Sequence, residues 1–255
     1  MSNRVFGRVV RLLATAVAVI LAVPVRAADA PDKSSPRPRV LILGDSISIG
    51  YTPLVKRDLQ DVAEVFRPKE NCQHTAYGLE HLDRWLGTEK WGTEKWDVIH
   101  FNWGIWDTHM LSAQNELIRD EAGFKGESHI RHTPEQYREN LTKLVDKLEK
   151  TGATLIWATT TPCLSRTGNR FADIKNLNKV ADEIMRKRGI AVDDLYEFAL
   201  PNAAAWQQSD KAHFNETGNE RLGKQVSDSI RAALRQKQNS AASAKREGQQ
   251  QGNER

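Results

Sequence analysis

Residues 40–46 read Val40-Leu41-Ile42-Leu43-Gly44-Asp45-Ser46. The first four form a short, continuous apolar run without alternation. That pattern belongs to a β-strand covered on both faces, which is how strands sit in parallel sheets between helices. The three residues that follow then occupy the carboxyl edge of the sheet, where open parallel sheets bind their ligands. The stretch therefore predicts both an α/β architecture and the place to look for chemistry.

Working outward, Ala63–Phe66, Val98–Phe101, Thr154–Ala158 and Ile190–Val192 repeat the strand pattern. Between them lie helical stripes. Thr133, Pro134 and Gln136 are an N-cap, a proline at N1 and a glutamine at N3, a capping-box start. Tyr137, Leu141, Leu144, Val145 and Leu148 follow at helical spacing, and Gly152 ends the run. Phe171, Ile174, Leu177, Ala181, Ile184 and Met185 form a second stripe before Gly189, and Leu222, Val226 and Ile230 a third. Shorter helices are expected at Tyr51–Leu59 and Leu79–Leu86. The alternation of strand and helix implies a central, mostly parallel five-stranded sheet with right-handed crossovers and helices on both faces.

The ends of the chain read differently. Arg4, Arg8 and Arg11 precede the apolar stretch Leu12–Val25, which suits the core of a signal peptide and is short for a membrane span. Val25-Arg26-Ala27 and Ala28-Asp29-Ala30 both fit the small-x-small cleavage pattern; the alternative is an uncleaved anchor. The expected organisation is a signal peptide at 1–27, a linker at 28–38, one domain at 39–236 and a disordered polar tail at 237–255. A tandem GTEKW within 87–96 reads as a surface-loop duplication. The formal charge is +4, but residues 1–27 hold four arginines and no acid, leaving 33 basic and 33 acidic residues beyond them. This balance gives no reason to invoke nucleic acid as a partner. Cys72 and Cys163 are too few for a disulfide scaffold and read as two unpaired thiols, a single bridge being the alternative. Neither has metal-ligand spacing with a histidine, so no metal site is expected.

Ser46 stands between the first strand and a helix. A hydroxyl there lies near backbone N–H groups at a helix N-terminus, which favour developing negative charge. The competing reading is that Asp45 and Ser46 only cap the helix. Near the other end, Asp210 and His213 are three apart in a turn before the last helix. The carboxylate can hold one ring nitrogen and leave the other free to accept a serine proton. That meaning depends on the sheet bringing Ser46 to the same edge.

Gly44-Asp45-Ser46 near the start and Asp210-x-x-His213 near the end resemble the GDSL, or SGNH, hydrolases over roughly residues 39–235. The resemblance implies a three-layer, flavodoxin-like α/β sandwich and ester hydrolysis through an acyl-serine intermediate. It implies Ser46 as nucleophile, His213 as general base and then acid, Asp210 as its orienting partner, and no metal or organic cofactor. The oxyanion would be received by the Ser46 N–H, by a glycine after the second strand, for which Gly78 is the candidate, and by an asparagine of a G-x-N-D block after the third strand. Gly78 could instead merely start its helix. Here the chain departs from the family: Gly104-Ile105-Trp106-Asp107 puts a tryptophan in the asparagine position. Asn102 is the substitute, since residues 102, 104 and 106 share a face of an extended chain. Its alternative is a buried amide satisfied by backbone groups.

Trp103 and Trp106, with Trp206 further on, offer flat apolar platforms suited to a sugar ring or a small acyl group, or else simply cover the sheet edge. The long segment Thr108–His132 reads as a lid or rim. Together these features suggest a secreted or periplasmic serine esterase removing acetyl groups from carbohydrate, acting on a small-molecule or polysaccharide ester. After signal cleavage no stable membrane insertion is expected. An O-acyltransferase using the same site, or a catalytically silent glycan-binding relative, are the competing readings.

Overall fold

The structure, a computed structural model, describes residues 36–87, 95–119, 123–164 and 169–253. The expected signal peptide, most of the linker and most of the GTEKW pair lie outside those residues. The chain runs β1 (Arg39–Leu43), α1 (Ser46–Asp58), β2 (Glu64–Phe66), α2 (Thr75–Leu86), β3 (Val98–Phe101), β4 (Met110–Ser112), β5 (Ser128–Ile130), α3 (Pro134–Glu149), β6 (Thr154–Ala158), α4 (Asn169–Arg188) and β7 (Ala191–Asp193). Two short helices, α5 (Leu195–Ala199) and α6 (Ala203–Trp206), lead into α7 (Glu216–Asn253).

Five strands make one sheet in the order β2-β1-β3-β6-β7, every neighbouring pair parallel. This is the flavodoxin-like order, in which the chain reverses direction across the sheet beside β1. The pleat sorts each strand between two cores. Leu41, Leu43, Ile99, Phe101, Leu155 and Trp157 face one side and pack with α2, α3 and α4. Val40, Ile42, Val98, Ile156 and Ala158 face the other and pack with α1 and α7. The first predicted stripe and Leu177, Ala181, Ile184 and Met185 of the second are buried in the first layer, and the third stripe in the second layer. Ile174 packs in a smaller cluster with Ile105 and Cys163, and Phe171 lies outside the residues whose side chains are described. His100 points into the second layer and pairs with Asp193 at 3.1 Å, both fully buried, tying β3 to β7.

Three boundaries differ from the sequence reading. Helix α1 begins at Ser46 rather than Tyr51, because the Asp45 side chain accepts the Ile47 N–H and starts it early. Helix α2 begins at Thr75 rather than Leu79, capped by His74 Nδ1, which accepts the Tyr77 N–H. The polar tail is also a continuation of structure: α7 runs on past residue 236 to Asn253. Residues 224–247 contain no glycine or proline and are rich in Ala, Gln, Lys and Arg, so helix propensity persists where apolar burial stops. Lys237 still reaches the domain, its Nζ 2.8 Å from Asp97 Oδ1. Segment 108–132 carries a two-stranded antiparallel ribbon, β4 with β5. Its base is closed by the His132 N–H donating to the Asp107 carbonyl.

Candidate active site

The carboxyl edge of the sheet brings Ser46, Asp210 and His213 together. Helix α1 places Ser46 at its first position, and no acceptor for the Ser46 N–H occurs among the described residues. His213 Nε2 is 2.8 Å from Ser46 Oγ, and His213 Nδ1 is 2.6 Å from Asp210 Oδ2. A carboxylate can only accept, so Nδ1 carries the proton and Nε2 is left to accept from the serine hydroxyl. Asp210 Oδ1 accepts the N–H groups of Ala212 and His213, each at 3.0 Å. Burial works to raise the Asp210 carboxyl, but these two N–H groups and the imidazole outweigh it and hold the group below its ordinary value.

The turn carrying Asp210 and His213 is pinned from outside. Lys211, between them, sits in the left-handed region with φ of 56°. Its carbonyl accepts the Leu164 N–H at 2.8 Å and the Cys163 thiol at 3.2 Å, and Gln207 Nε2 donates to the Pro162 carbonyl. The segment after β6 thus fixes a turn that would otherwise be free at half-exposed residues. Cys72 and Cys163 are both buried and are not bridged to each other.

Two of the expected oxyanion donors are otherwise engaged. Gly78 lies inside α2, where its N–H donates to the His74 carbonyl at 2.9 Å. Its lack of a side chain serves packing: a Cβ there would meet the Trp103 indole at 2.9 Å. The left-handed residue in this segment is Gln73, with φ of 48°, whose N–H goes to Asn71 Oδ1. Asn102 Nδ2 donates to the Ala158 carbonyl at 2.8 Å and to Thr160 Oγ1 at 3.1 Å, using both of its hydrogens. It joins the ends of β3 and β6, as a satisfied amide does. Gly104 is held against the same Thr160, with whose hydroxyl a Cβ would collide.

The tryptophans separate as well. Trp103 is fully buried, its Nε1 donating to the Cys72 carbonyl and its own carbonyl accepting the Tyr137 hydroxyl at 2.7 Å, so it is core and cannot meet a substrate. Trp206 packs on Phe198 in the second layer. Trp106 is partly exposed, packed on Ile105, Cys163 and Ile174, with the His109 ring 4.8 Å away.

Three features escaped the sequence reading. Asp107 is fully buried and holds the start of α2 to the ribbon, accepting from Thr75 Oγ1 at 2.5 Å and pairing with His132 Nδ1 at 2.6 Å. A recess beside Asp45 is lined by Ile47, Ser48, Tyr51, Asn102 and Thr159–Thr161. Arg67, straight after β2, threads into the Gly44–Ser48 turn. The one signal for Arg67 in the sequence is its place at the carboxyl end of a strand. Among the described residues no group of three His, Cys, Asp or Glu is arranged to hold a metal, and no helix is long and apolar enough to cross a membrane.

A family model described as GDSL-like Lipase/Acylhydrolase matches residues 42–221. The chain belongs to that family. It is a serine ester hydrolase of the GDSL, or SGNH, type. Several solved structures are similar to this GDSL hydrolase. One is a lipase/acylhydrolase from Enterococcus faecalis, 26% identical, covering 76% of this chain and 96% of that one with a TM-score of 0.57. Another is the acetyl xylan esterase AlAXEase, at 15% identity, 75% and 99% coverage and a TM-score of 0.58. A third is the psychrotrophic esterase EstA from Pseudoalteromonas sp., at 18% identity, 77% and 98% coverage and a TM-score of 0.55. No curated protein gave a significant match.

Proposed function

We propose that this hydrolase removes acetyl groups from an esterified carbohydrate outside the cytoplasm, with Ser46, His213 and Asp210 as its catalytic residues. The observation that carries the reading is the unbroken chain Asp210 Oδ2–His213–Ser46 Oγ, with steps of 2.6 and 2.8 Å. Ser46 Oγ attacks the ester carbonyl as its proton passes to His213 Nε2. The oxyanion that forms is received by the Ser46 N–H at the positive end of α1. His213 returns the proton to the departing sugar oxygen, leaving acetyl-Ser46. A water, deprotonated by the same nitrogen, then releases acetate and restores the serine.

Trp106 leaves part of an indole face at the carboxyl edge of the sheet, and such a face stacks on sugar rings. An acetyl xylan esterase shares the fold. The signal-like segment at 4–27 supports export. The test is hydrolysis of an aryl acetate and of acetylated xylan by the mature protein beside Ser46→Ala and His213→Ala. Both variants should fall to background on both substrates. Equal rates for all three proteins would end the reading of the site, and turnover of long-chain aryl esters matching that of the acetate would end the acetyl assignment.

A further inference from the structure

A guanidinium stands behind the nucleophile turn. Arg67 Nη2 donates to the Gly44 carbonyl at 2.8 Å, the Asp45 carbonyl at 3.2 Å and Ser48 Oγ at 3.1 Å, and Nε donates to Ser48 Oγ at 3.2 Å. On its other side Nη1 donates to the carbonyls of Pro68 at 2.6 Å and Glu70 at 3.1 Å. None of these oxygens belongs to a carboxylate. Among the described residues no carboxylate hydrogen-bonds to Arg67, so a positive charge partly withdrawn from water is held against the residues on either side of Ser46, with the Asp45 carboxyl near enough to interact with it electrostatically. Burial pulls the Arg67 pKa down, yet an arginine keeps its proton under such conditions.

The Asp45 carbonyl is the informative contact. It accepts from Arg67, from Ser48 Oγ at 2.7 Å and from the Ile49 N–H at 3.2 Å. The nitrogen of that same peptide unit is the Ser46 N–H, which has no acceptor among the described residues. Hydrogen bonds to a peptide oxygen draw electron density from its nitrogen, so the N–H becomes a stronger donor. The other expected donors, Gly78 and Asn102, are engaged elsewhere, which leaves more of the oxyanion's stabilisation to this one group.

We propose that Arg67 is a positioning residue for acyl transfer, locking the Gly44–Ser48 turn and strengthening the Ser46 N–H through the Asp45–Ser46 peptide. The proposal rests on Ser46 being the nucleophile. Because the oxyanion carries far more charge than the ground-state carbonyl, the effect falls on kcat rather than KM. A purely structural tie between the β2–α2 connection and β1 would instead lower the melting temperature and the fraction of competent protein.

The test compares the full chain with Arg67→Met, Arg67→Lys and Ser46→Ala on an aryl acetate. Competent serines are counted by end-point labelling with a fluorophosphonate. Arg67→Met should lose about ten- to a hundredfold in kcat per labelled serine, less than direct removal of an oxyanion donor, with KM nearly unchanged. Arg67→Lys keeps the charge without the planar fork, so it should recover part of the loss. Its activity should also decline at alkaline pH as the buried amine deprotonates, a decline the wild type lacks. Wild-type kcat per labelled serine in Arg67→Met would overturn the proposal. If that variant does not fold, wild-type kcat per site in Arg67→Lys across the pH range would overturn it equally. Undiminished turnover by Ser46→Ala would overturn the assignment of the nucleophile, and this proposal with it. Inactive Ser46→Ala beside unimpaired Arg67 variants sinks the role of Arg67 alone.

Discussion

Ser46 Oγ and His213 Nε2 lie 2.8 Å apart although 167 positions of chain separate them. The contact exists because β1 is an inner strand of the sheet and α7 packs beside α1, so the turn before α7 arrives at the start of α1. The first residue of one helix and the last turn before another thus meet at the carboxyl edge, with the α1 dipole directed at the hydroxyl. The imidazole is useful only in the tautomer that Asp210 imposes.

Asp210→Asn tests that dependence. An asparagine can still accept the Ala212 and His213 N–H groups through its oxygen, so the turn should survive. Its amide would then face His213 Nδ1 as a donor, driving the ring proton to Nε2 and leaving nothing to accept from Ser46. We expect kcat on an aryl acetate to fall by about 10³-fold or more, with an unchanged melting temperature and little change in KM. A loss smaller than tenfold would show that the imidazole does not need its partner.

Asn102→Ala separates two roles for one amide. Both Nδ2 hydrogens are spent on Ala158 and Thr160, so the substitution should leave the Ala158 carbonyl without its donor and weaken the β3–β6 junction. The cost in stability should be about 1–2 kcal/mol in urea unfolding. The rate should fall by less than about tenfold, whereas loss of an oxyanion donor costs roughly a hundredfold or more. A hundredfold loss with undiminished stability would return Asn102 to the oxyanion hole.

Gly78→Ala asks the matching question of the other candidate. The added methyl would press on the Trp103 indole, which Tyr137 and Cys72 hold in place through its backbone and Nε1. Overpacking of this kind costs about 1–3 kcal/mol. Activity per folded molecule should not change, since the Gly78 N–H is already within the helix. A neutral effect on unfolding would mean that the contact is looser than the geometry indicates.

The parts of this protein that could be read from sequence are those set by local periodicity or by a short pattern. The runs at 40–43 and 155–158 are strands because nothing polar interrupts them, 98–101 is one despite His100, and the stripe from Tyr137 to Leu148 is a helix because its cap and period agree. Ser46, Asp210 and His213 were legible for the same reason, each sitting within a short motif next to a strand or helix boundary. What escaped depends on partners that only the folded sheet supplies. Asn102 looks like a free amide until β6 delivers Thr160 beside it. Gly78 looks like a loop glycine because histidine is rarely read as a cap, yet His74 starts the helix four residues before it. Arg67 carries no spacing signature at all; its meaning comes from β2 lying against β1. Beyond residue 237 the helix has no apolar stripe to announce it, since its helix propensity there comes from Ala, Gln, Lys and Arg rather than from burial.

His74 supplies a prediction in pH. Its Nδ1 accepts the Tyr77 N–H, a role open only to the neutral ring. Burial lowers its pKa to about 4 from an ordinary 6.5, the nearby Arg131 charge and His132 adding to the effect and Asp107 opposing it. Between pH 6.5 and about 4 the unfolded chain binds a proton that the folded chain refuses, so stability falls as the pH falls through this window. Below it the folded ring is protonated too, the cap is lost, and the start of α2 beside Asp107 loosens. Asparagine can cap the helix and does not titrate there. Thermal unfolding of His74→Asn should therefore decline less from pH 6.5 to 4 than that of the wild type, while the two proteins behave alike at pH 7.5. Curves that stay parallel through the acid range would show that His74 is not the group whose protonation opens this end of the helix.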